Sequence, residues 1–237
     1  MTAPSVAVVI GASGGVGGAL VEALLAQGVE TVHALSRSDA AAPPRATPGR
    51  IDLEDEASIA AAAARVGGPI DLVVVATGLL QGPGITPERS YRSLSAETLA
   101  RAFAVNSIGP ALAAKHFLPL LPRKRRAVFA CLSARVGSIG DNRLGGWYAY
   151  RASKAALNML VKTAAIELRR TAPEAICVAL HPGTVDTALS APFQRGVAEG
   201  KLFTPATSAA HLLQVIAGLT PEQSGGCYAW DGQPITP

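Results

Sequence analysis

The segment CLSARVGSIGDNRLGGWYAYRASKAAL, Cys131 to Leu157, carries two tyrosines, one of them followed by a lysine at a spacing suited to proton chemistry. Residues i and i+4 share a helix face, so Tyr150 and Lys154 in YRASK project into one space on a helix that begins near Gly146. Tyr148 has Ala152 at that spacing and lacks the partner. A free phenol titrates near ~10, too high for efficient proton transfer at neutral pH, and a nearby ammonium stabilises the phenolate and lowers that value. Tyr150 can then act as a general acid or base. Taken alone, the pair reads as an ordinary exposed Tyr/Lys couple; a cofactor site elsewhere in the chain is what changes that reading.

Such a site is written near the start. VAVVIGASGGVGGALVEALLAQG runs strand, glycine turn, helix, with Gly11, Gly15 and Gly17 forming G-x-x-x-G-x-G. Glycine is needed where the chain turns sharply, where backbone approaches a pyrophosphate and where helix packs on strand, and the amides at the helix N-terminus then bind phosphate. A glycine turn by itself is common in α/β proteins; its place after the first strand and before an amphipathic helix points to a nucleotide. The second strand, in TVHALSRSDAA, ends in Ser36-Arg37-Ser38. A guanidinium's fork of donors suits a 2′-phosphate, whereas NAD-preferring sites commonly carry an acidic residue there. NADP(H) is favoured through Arg37, with NAD(H) as the alternative through Asp39.

The elements that must position these groups can be read from the apolar runs. Candidate strands are Val6 to Ile10, Thr31 to Leu35, Ile70 to Ala76, Ala127 to Leu132 and Ile176 to His181, with a short one near Arg50 to Ile51 and a last at Cys227 to Trp230. Near-continuous apolar strands require a sheet covered on both faces, and their alternation with helices implies parallel crossovers. The fold class is α/β: a Rossmann-like, doubly wound parallel sheet of about seven strands with helices on both faces, in one domain spanning 1–237. Ser95 is a plausible N-cap with Leu94 and Leu99 as a staple and Glu97 in the first turn. The helix from about Gly146 ends with Arg169 and Arg170 before Pro173. Ala40 to Pro48 reads as a loop, and Ser190 to Thr204 is the least patterned late segment, so a short substrate lid is expected around 188–204.

Composition excludes several classes. With 49% hydrophobic and 16% charged residues over 237 positions, the chain is an ordinary globular one. A net charge of +4 invites a nucleic-acid reading, but outside Arg123-Lys124-Arg125-Arg126 the basic residues are scattered, so that run is expected to be a solvated loop and no nucleic-acid partner is expected. Cys131, Cys177 and Cys227 show no C-x-x-C spacing, which implies a reducing compartment and no metal. Neither a leader peptide nor a stretch approaching the ~20 apolar residues of a membrane span is visible, so a soluble cytoplasmic protein is expected. His33, His116, His181 and His211 have no partner at ligand spacing and are read as structural.

Gly11-x-x-x-Gly15-x-Gly17, Asn106 in FAVNSIGP, Tyr150-x-x-x-Lys154 and HPGTVDT, in that order, resemble the short-chain dehydrogenase/reductase family over essentially the whole chain. GSIGDNRLGGWYAYRASKAALNML and VIAGLTPEQSGGCYAWDGQPI are similar to its C-factor and Sniffer-type carbonyl reductase branch. The resemblance implies a catalytic tetrad of Asn106, a serine, Tyr150 and Lys154. In it, the tyrosine donates a proton while hydride arrives from nicotinamide, the lysine also holds the ribose, and the asparagine supports a water-mediated relay through backbone. It implies cofactor contacts from Gly11, Ser13, Gly15, Val16, Gly17, Ser36, Arg37, Asp52, Leu53, Ala76, Thr77, Gly78, Asn106, Tyr150, Lys154, Pro182, Gly183, Val185 and Thr187. Asp52 also reads as a helix-initiating acid in DLEDEAS.

Two departures stand out. The family's Asn-Asn-Ala-Gly appears as Val75-Ala76-Thr77-Gly78. The serine three residues before Gly137 is replaced by Ala134, with Ser133 one position earlier. Ser133 takes the role through a local bulge, or Ser138 substitutes, or the site works without a serine; Ser133 is the most economical candidate. The leading function is an NADPH-dependent reductase of ketones or aldehydes. The alternative is a nucleotide-binding signalling or sensor protein with residual catalysis. A homodimer or homotetramer is expected through helices near 95–118 and 147–169.

Overall fold

Five strands, Val6–Ile10 (β1), Thr31–Ser36 (β2), Leu72–Val75 (β4), Ala127–Leu132 (β5) and Ala175–His181 (β6), are apolar on both faces; Thr47–Arg50 (β3) and Cys227–Ala229 (β9) flank them. In the computed structural model, which describes residues 4–38, 42–195 and 197–237, they form one seven-stranded sheet in the order β3-β2-β1-β4-β5-β6-β9. Every neighbouring pair is parallel. Helices Gly15–Ala26 (α1), Glu56–Val66 (α2), Ala96–Phe103 (α3), Gly109–Phe117 (α4), Tyr148–Thr171 (α5) and Pro205–Gly218 (α6) connect and cover the strands.

Alternate strand residues point to opposite faces, so one strand serves two cores. Val8, Ile10, Val73 and Phe129 pack with Ile59 of α2, Phe117 of α4 and Leu157 and Val161 of α5. Ala7, Val9, Val74 and Ala130 pack with Leu20 and Leu24 of α1 and Leu212 and Ile216 of α6. The chain runs outward from β1 through β2 to β3, then returns to set β4 on the other side of β1. Strand order therefore reverses between β1 and β4, and a crevice opens beyond their carboxyl ends, where such sheets bind ligands. Gly11 leaves β1 and Thr77-Gly78 follow β4 at that crevice.

Several expectations are corrected. The third strand is Thr47–Arg50 rather than Arg50 to Ile51, because Thr47 to Arg50 pair with His33 to Ser36 at the sheet edge, where a proline is tolerated. The loop expected to run to Pro48 therefore gives way to strand at Thr47; its Ala40, and Asp39 before it, lie outside the described residues. The last strand stops at Ala229, and α5 starts at Tyr148, not near Gly146. A short parallel pair, Thr184–Val185 (β7) with Leu202–Phe203 (β8), closes the base of the 188–204 segment.

The basic run is an exposed loop at Arg123, Lys124 and Arg125, as expected, but its second half is also tied down: Arg125 pairs with buried Asp71, whose other oxygen accepts from Ser5 and Val6 amides at 2.9 and 3.1 Å. Arg126 reaches the C-terminus of α6, donating to the carbonyls of Ile216 and, at 3.1 Å, Leu219. A cation suits the unpaired carbonyls of a helix end. Ser95 caps α3 by accepting from the Thr98 amide at 3.1 Å, as its type and place predict.

Candidate active site

The crevice is a cavity of about 820 Å³. The glycine turn forms one wall. Gly11 has φ +90, a left-handed conformation that favours glycine, and its amide donates to the Leu35 carbonyl at 2.8 Å. A β-carbon on Gly17 would lie 2.1 Å from the Gly11 carbonyl oxygen, so the first turn of α1 can sit this close only with glycine there. The N-cap of α1 is Gly14, which has no side chain to satisfy the first amides of the helix. Ser13, Gly15 and Val16 line the cavity beside them.

At the far end of this wall Ser36 closes β2, its hydroxyl donating to the Ser38 carbonyl at 2.6 Å. The Arg37 side chain is 67% exposed and stands 3.7 Å from Glu54, which also pairs with Arg101 at 3.0 Å. Asp52 and buried Leu53 border the same end. Asp52 accepts from the Glu54 amide at 3.1 Å, while the helix-initiating acid of α2 is Asp55, whose side chain accepts from the Ala57 amide.

The opposite wall is built on α5. Tyr150 lies in its first turn and lines the cavity; Lys154, one turn on, is buried. The lysine Nζ donates to the Leu132 carbonyl at 2.8 Å and stands 5.8 Å from the centre of the Tyr150 ring. Burial lowers the ammonium to about 8 and pushes the phenol up to about 12. The lowered phenol expected from the spacing is thus absent here, because desolvation dominates and the lysine is turned to a backbone carbonyl. Tyr148 is 37% exposed and absent from the cavity lining.

Asn106 sits in a π-helical stretch, Ala104–Ile108, between α3 and α4. Such one-turn widenings recur at functional sites. Its amide brackets Leu79: Oδ1 accepts from the Leu79 amide at 2.7 Å and Nδ2 donates to the Leu79 carbonyl at 2.8 Å and to Ser153 Oγ at 3.0 Å. The loop after β4 is thereby tied to α5. At Gly78 a β-carbon would lie 3.8 Å from Lys154 Nζ and 3.9 Å from Asn106 Oδ1, so the three meet in one corner.

Ser133 is buried, and its hydroxyl donates to Asn158 Oδ1 at 2.7 Å, one helical turn beyond Lys154. No bulge turns it: the β5–β6 register is unbroken through Leu132 and Leu180, and the Ser133 amide donates to the Leu180 carbonyl at 2.7 Å. Ser133 and Ala134 both border the cavity; Ser138 does not, and its hydroxyl accepts from the Asp141 amide. Pro182, Gly183, Val185 and Thr187 line the remaining side, together with Ala76 and Thr77.

The spacing of residue types does not reach Trp147, Phe193 and Glu88. Gly145, Gly146 and Trp147 are three consecutive left-handed residues, with φ 62, 65 and 52. A non-glycine residue there costs roughly 1–2 kcal/mol, so its surroundings must hold it. The Trp147 ring lies edge-on to Phe193 at 5.0 Å and to Tyr150 at 6.4 Å, and all three line the cavity. Two glycines before an aromatic residue were the available signal for the turn; none marks Glu88.

The sequence model of the short chain dehydrogenase family matches residues 5–197. The chain belongs to that family. Its similarity to 1-hydroxy-2-glutathionyl-2-methyl-3-butene dehydrogenase of Rhodococcus sp. (strain AD45) is 31% identity over 233 residues, 96% of this chain and 97% of that protein. It is 38% identical to the C-signal of Myxococcus xanthus over 138 residues, 58% of this chain and 77% of that protein. NADPH-bound carbonyl reductase from chicken fatty liver superposes with a TM-score of 0.85 at 26% identity, covering 98% of this chain and 94% of that one. The carbonyl reductase Sniffer of D. melanogaster does so with 0.84 at 25%, covering 98% and 99%.

This family member is an NAD(P)-dependent oxidoreductase of the C-factor and Sniffer-type branch. Its residues fit the cofactor: the first amides of α1 lack a side-chain cap, and Thr77 Oγ1 is buried at the cavity without a partner. Among the described residues no group of three or more His, Cys, Asp or Glu could hold a metal, and no helix is long and apolar enough to cross a membrane.

Proposed function

We propose that this enzyme reduces ketones or aldehydes with NADPH, with Tyr150 as the proton donor. The observation that carries the reading is Tyr150 and Lys154 on one face of α5 at the cavity, with Gly78 and Asn106 meeting the lysine in the same corner. When bound, the nicotinamide supplies the hydride for the carbonyl carbon. Tyr150 Oη gives its proton to the carbonyl oxygen as negative charge develops there, and Lys154, protonated below about 8, stabilises the phenolate left behind. Asn106 holds the loop that carries Gly78 against Lys154 and supports a water-mediated relay through its backbone. The amides of the 11–17 turn would hold the phosphates, and Arg37, exposed just after β2, would meet the 2′-phosphate.

Ser133 is the proposed hydroxyl of the tetrad, and it reaches substrate only by leaving Asn158. Segment 188–204 is the proposed lid of a single domain. Gln81 already ties it to the loop after β4 through the Ala188 and Leu189 carbonyls at 3.1 and 3.4 Å. We place the enzyme in the cytoplasm as a homodimer or homotetramer whose contacts include the exposed Met159, Leu160 and Ile166 of α5.

Steady-state oxidation of NADPH and NADH over a panel of ketones and aldehydes tests this reading. NADPH should exceed NADH in kcat/KM by about 10- to 100-fold, the value of one or two charge-assisted hydrogen bonds. Tyr150→Phe should lower kcat by about 10³-fold with NADPH binding retained. Unchanged turnover in Tyr150→Phe alongside tight nucleotide binding would favour the second reading, a nucleotide-binding signalling protein, which the C-signal similarity and Ala134 support.

A further inference from the structure

The first turn of α5 carries Tyr150, yet α5 has no cap of its own: Trp147, its N-cap residue, is left-handed and makes no side-chain capping bond. The missing acceptor comes from 59 residues upstream in the sequence. Glu88, in the loop after β4, is 3% exposed. Its Oε2 accepts from the Ala149 amide at 3.2 Å, and its backbone carbonyl accepts from the Trp147 amide at 2.6 Å. Its Oε1 is also buried and has no partner. Among the described residues no Lys or Arg lies within ion-pair distance of it. A buried carboxyl with one helix amide to bond is expensive to keep, and here that bond goes to the first turn that carries Tyr150.

We propose that Glu88 is a positioning residue for the reaction: acting from another element, it caps α5 and holds Trp147 left-handed, which sets Tyr150 in the cavity. This rests on the reading of Tyr150 given above. The backbone bond fixes where the chain turns into α5, and the carboxyl bond fixes how the first turn winds. Arg151 completes the clamp, its guanidinium donating to the Gly146 carbonyl at 3.0 Å and the Val136 carbonyl at 3.3 Å. Displacing a reacting group by about 1 Å can cost about 10²-fold in rate, so the loop after β4 exerts this control without touching substrate.

The test compares Glu88→Ala, Glu88→Gln and Glu88→Asp by kcat, by NADPH affinity and by Trp147 emission in a Trp230→Phe background, since the chain has 2 tryptophans. Glu88→Ala should lower kcat by about 10²-fold with NADPH affinity within about twofold, and should red-shift Trp147 emission as its seat opens. Glu88→Gln keeps an acceptor oxygen for the Ala149 amide and should restore kcat to within a few-fold of the parent and restore the emission. Should Glu88→Ala fail to fold, Glu88→Asp, one methylene too short to reach the amide, should show the same kcat loss and red shift in a folded protein. A folded Glu88→Ala or Glu88→Asp with parental kcat and parental emission overturns the proposal. If Tyr150→Phe proves active, the function proposed above fails; the cap still stands where emission shifts in Glu88→Ala and is restored in Glu88→Gln, and falls where it does not.

Discussion

The two walls of the cavity are built on opposite principles. The glycine wall is local: β1, the 11–17 turn and α1 are contiguous, and Gly17 fits against the Gly11 carbonyl because both belong to one short stretch. It borders the cavity with backbone whose first helix amides have no side-chain cap, and that backbone is fixed once the turn forms. The α5 wall is assembled from afar. Tyr150 depends on a turn of three left-handed residues held by Glu88, Lys154 depends on the Leu132 carbonyl, and Asn106 depends on Leu79 and Ser153. A wall made of backbone tolerates few substitutions but needs little support; a wall made of side chains needs a shell of partners to keep its geometry.

Breaking the local wall should act first on cofactor affinity and on stability. In Gly17→Ala the new β-carbon meets backbone rather than a flexible side chain, so α1 must shift; NADPH affinity should fall by about 10²-fold or more by titration calorimetry, with a lowered melting temperature. Retained affinity would mean that the turn is as adaptable as the other wall.

The pH dependence sharpens the side-chain wall. Lys154 is protonated below about 8 and neutral above it, so reductase kcat should be level near neutrality and fall up to about tenfold per pH unit above about 8. The contribution of Lys154 alone to stability should respond in the opposite sense. The folded value lies below the unfolded ~10.5, so the unfolded chain binds more protons between about 8 and 10.5, and the contribution of Lys154 to stability rises with pH across that window. A pH–rate profile reads the first, and the difference between the melting curves of the parent and Lys154→Met reads the second, because burial raises Cys131, Cys177, Cys227 and Tyr150 and their contributions fall with pH over the same window.

A smaller gain is expected from Ala134→Ser. It restores a hydroxyl at a position that borders the cavity, and kcat should rise by up to about tenfold, below the roughly 10²–10³ of a fully formed oxyanion donor. Ser133→Ala, which removes a hydroxyl bonded to Asn158, should change kcat less than Ala134→Ser if that hydroxyl stays where it is. The reverse order would show that Ser133 turns into the cleft. Smallest of all on activity is Arg126→Ala, at neither wall: kcat should be unchanged while the melting temperature drops by about 2–4 °C, the response to about 1 kcal/mol at this size.

How much was legible follows the same division. The sheet, its parallel order and the glycine turn can be read from apolar runs and glycine spacing, since both are local patterns. So can the pairing of Tyr150 with Lys154, because helical periodicity alone places them together. The third strand is misplaced by sequence because Thr47 to Arg50 are mostly exposed and become a strand only by pairing with β2. The basic run reads as solvated, and Arg123 to Arg125 are exposed, but the partners of Arg125 and Arg126, Asp71 and the end of α6, come from distant parts of the chain.

The amino-acid sequence therefore determined which groups the chain carries: a glycine turn opening a helix, an arginine after the second strand, and a phenol and an amine one helical turn apart. Tertiary structure decided the state and aim of those groups. Burial, which no spacing encodes, sets the phenol high and the ammonium low. The direction of the Ser133 hydroxyl was settled by Asn158, 25 residues away. The helix that presents Tyr150 is capped by Glu88, because an acceptor for a helix N-terminus can come from any part of the chain that folding brings within hydrogen-bond reach.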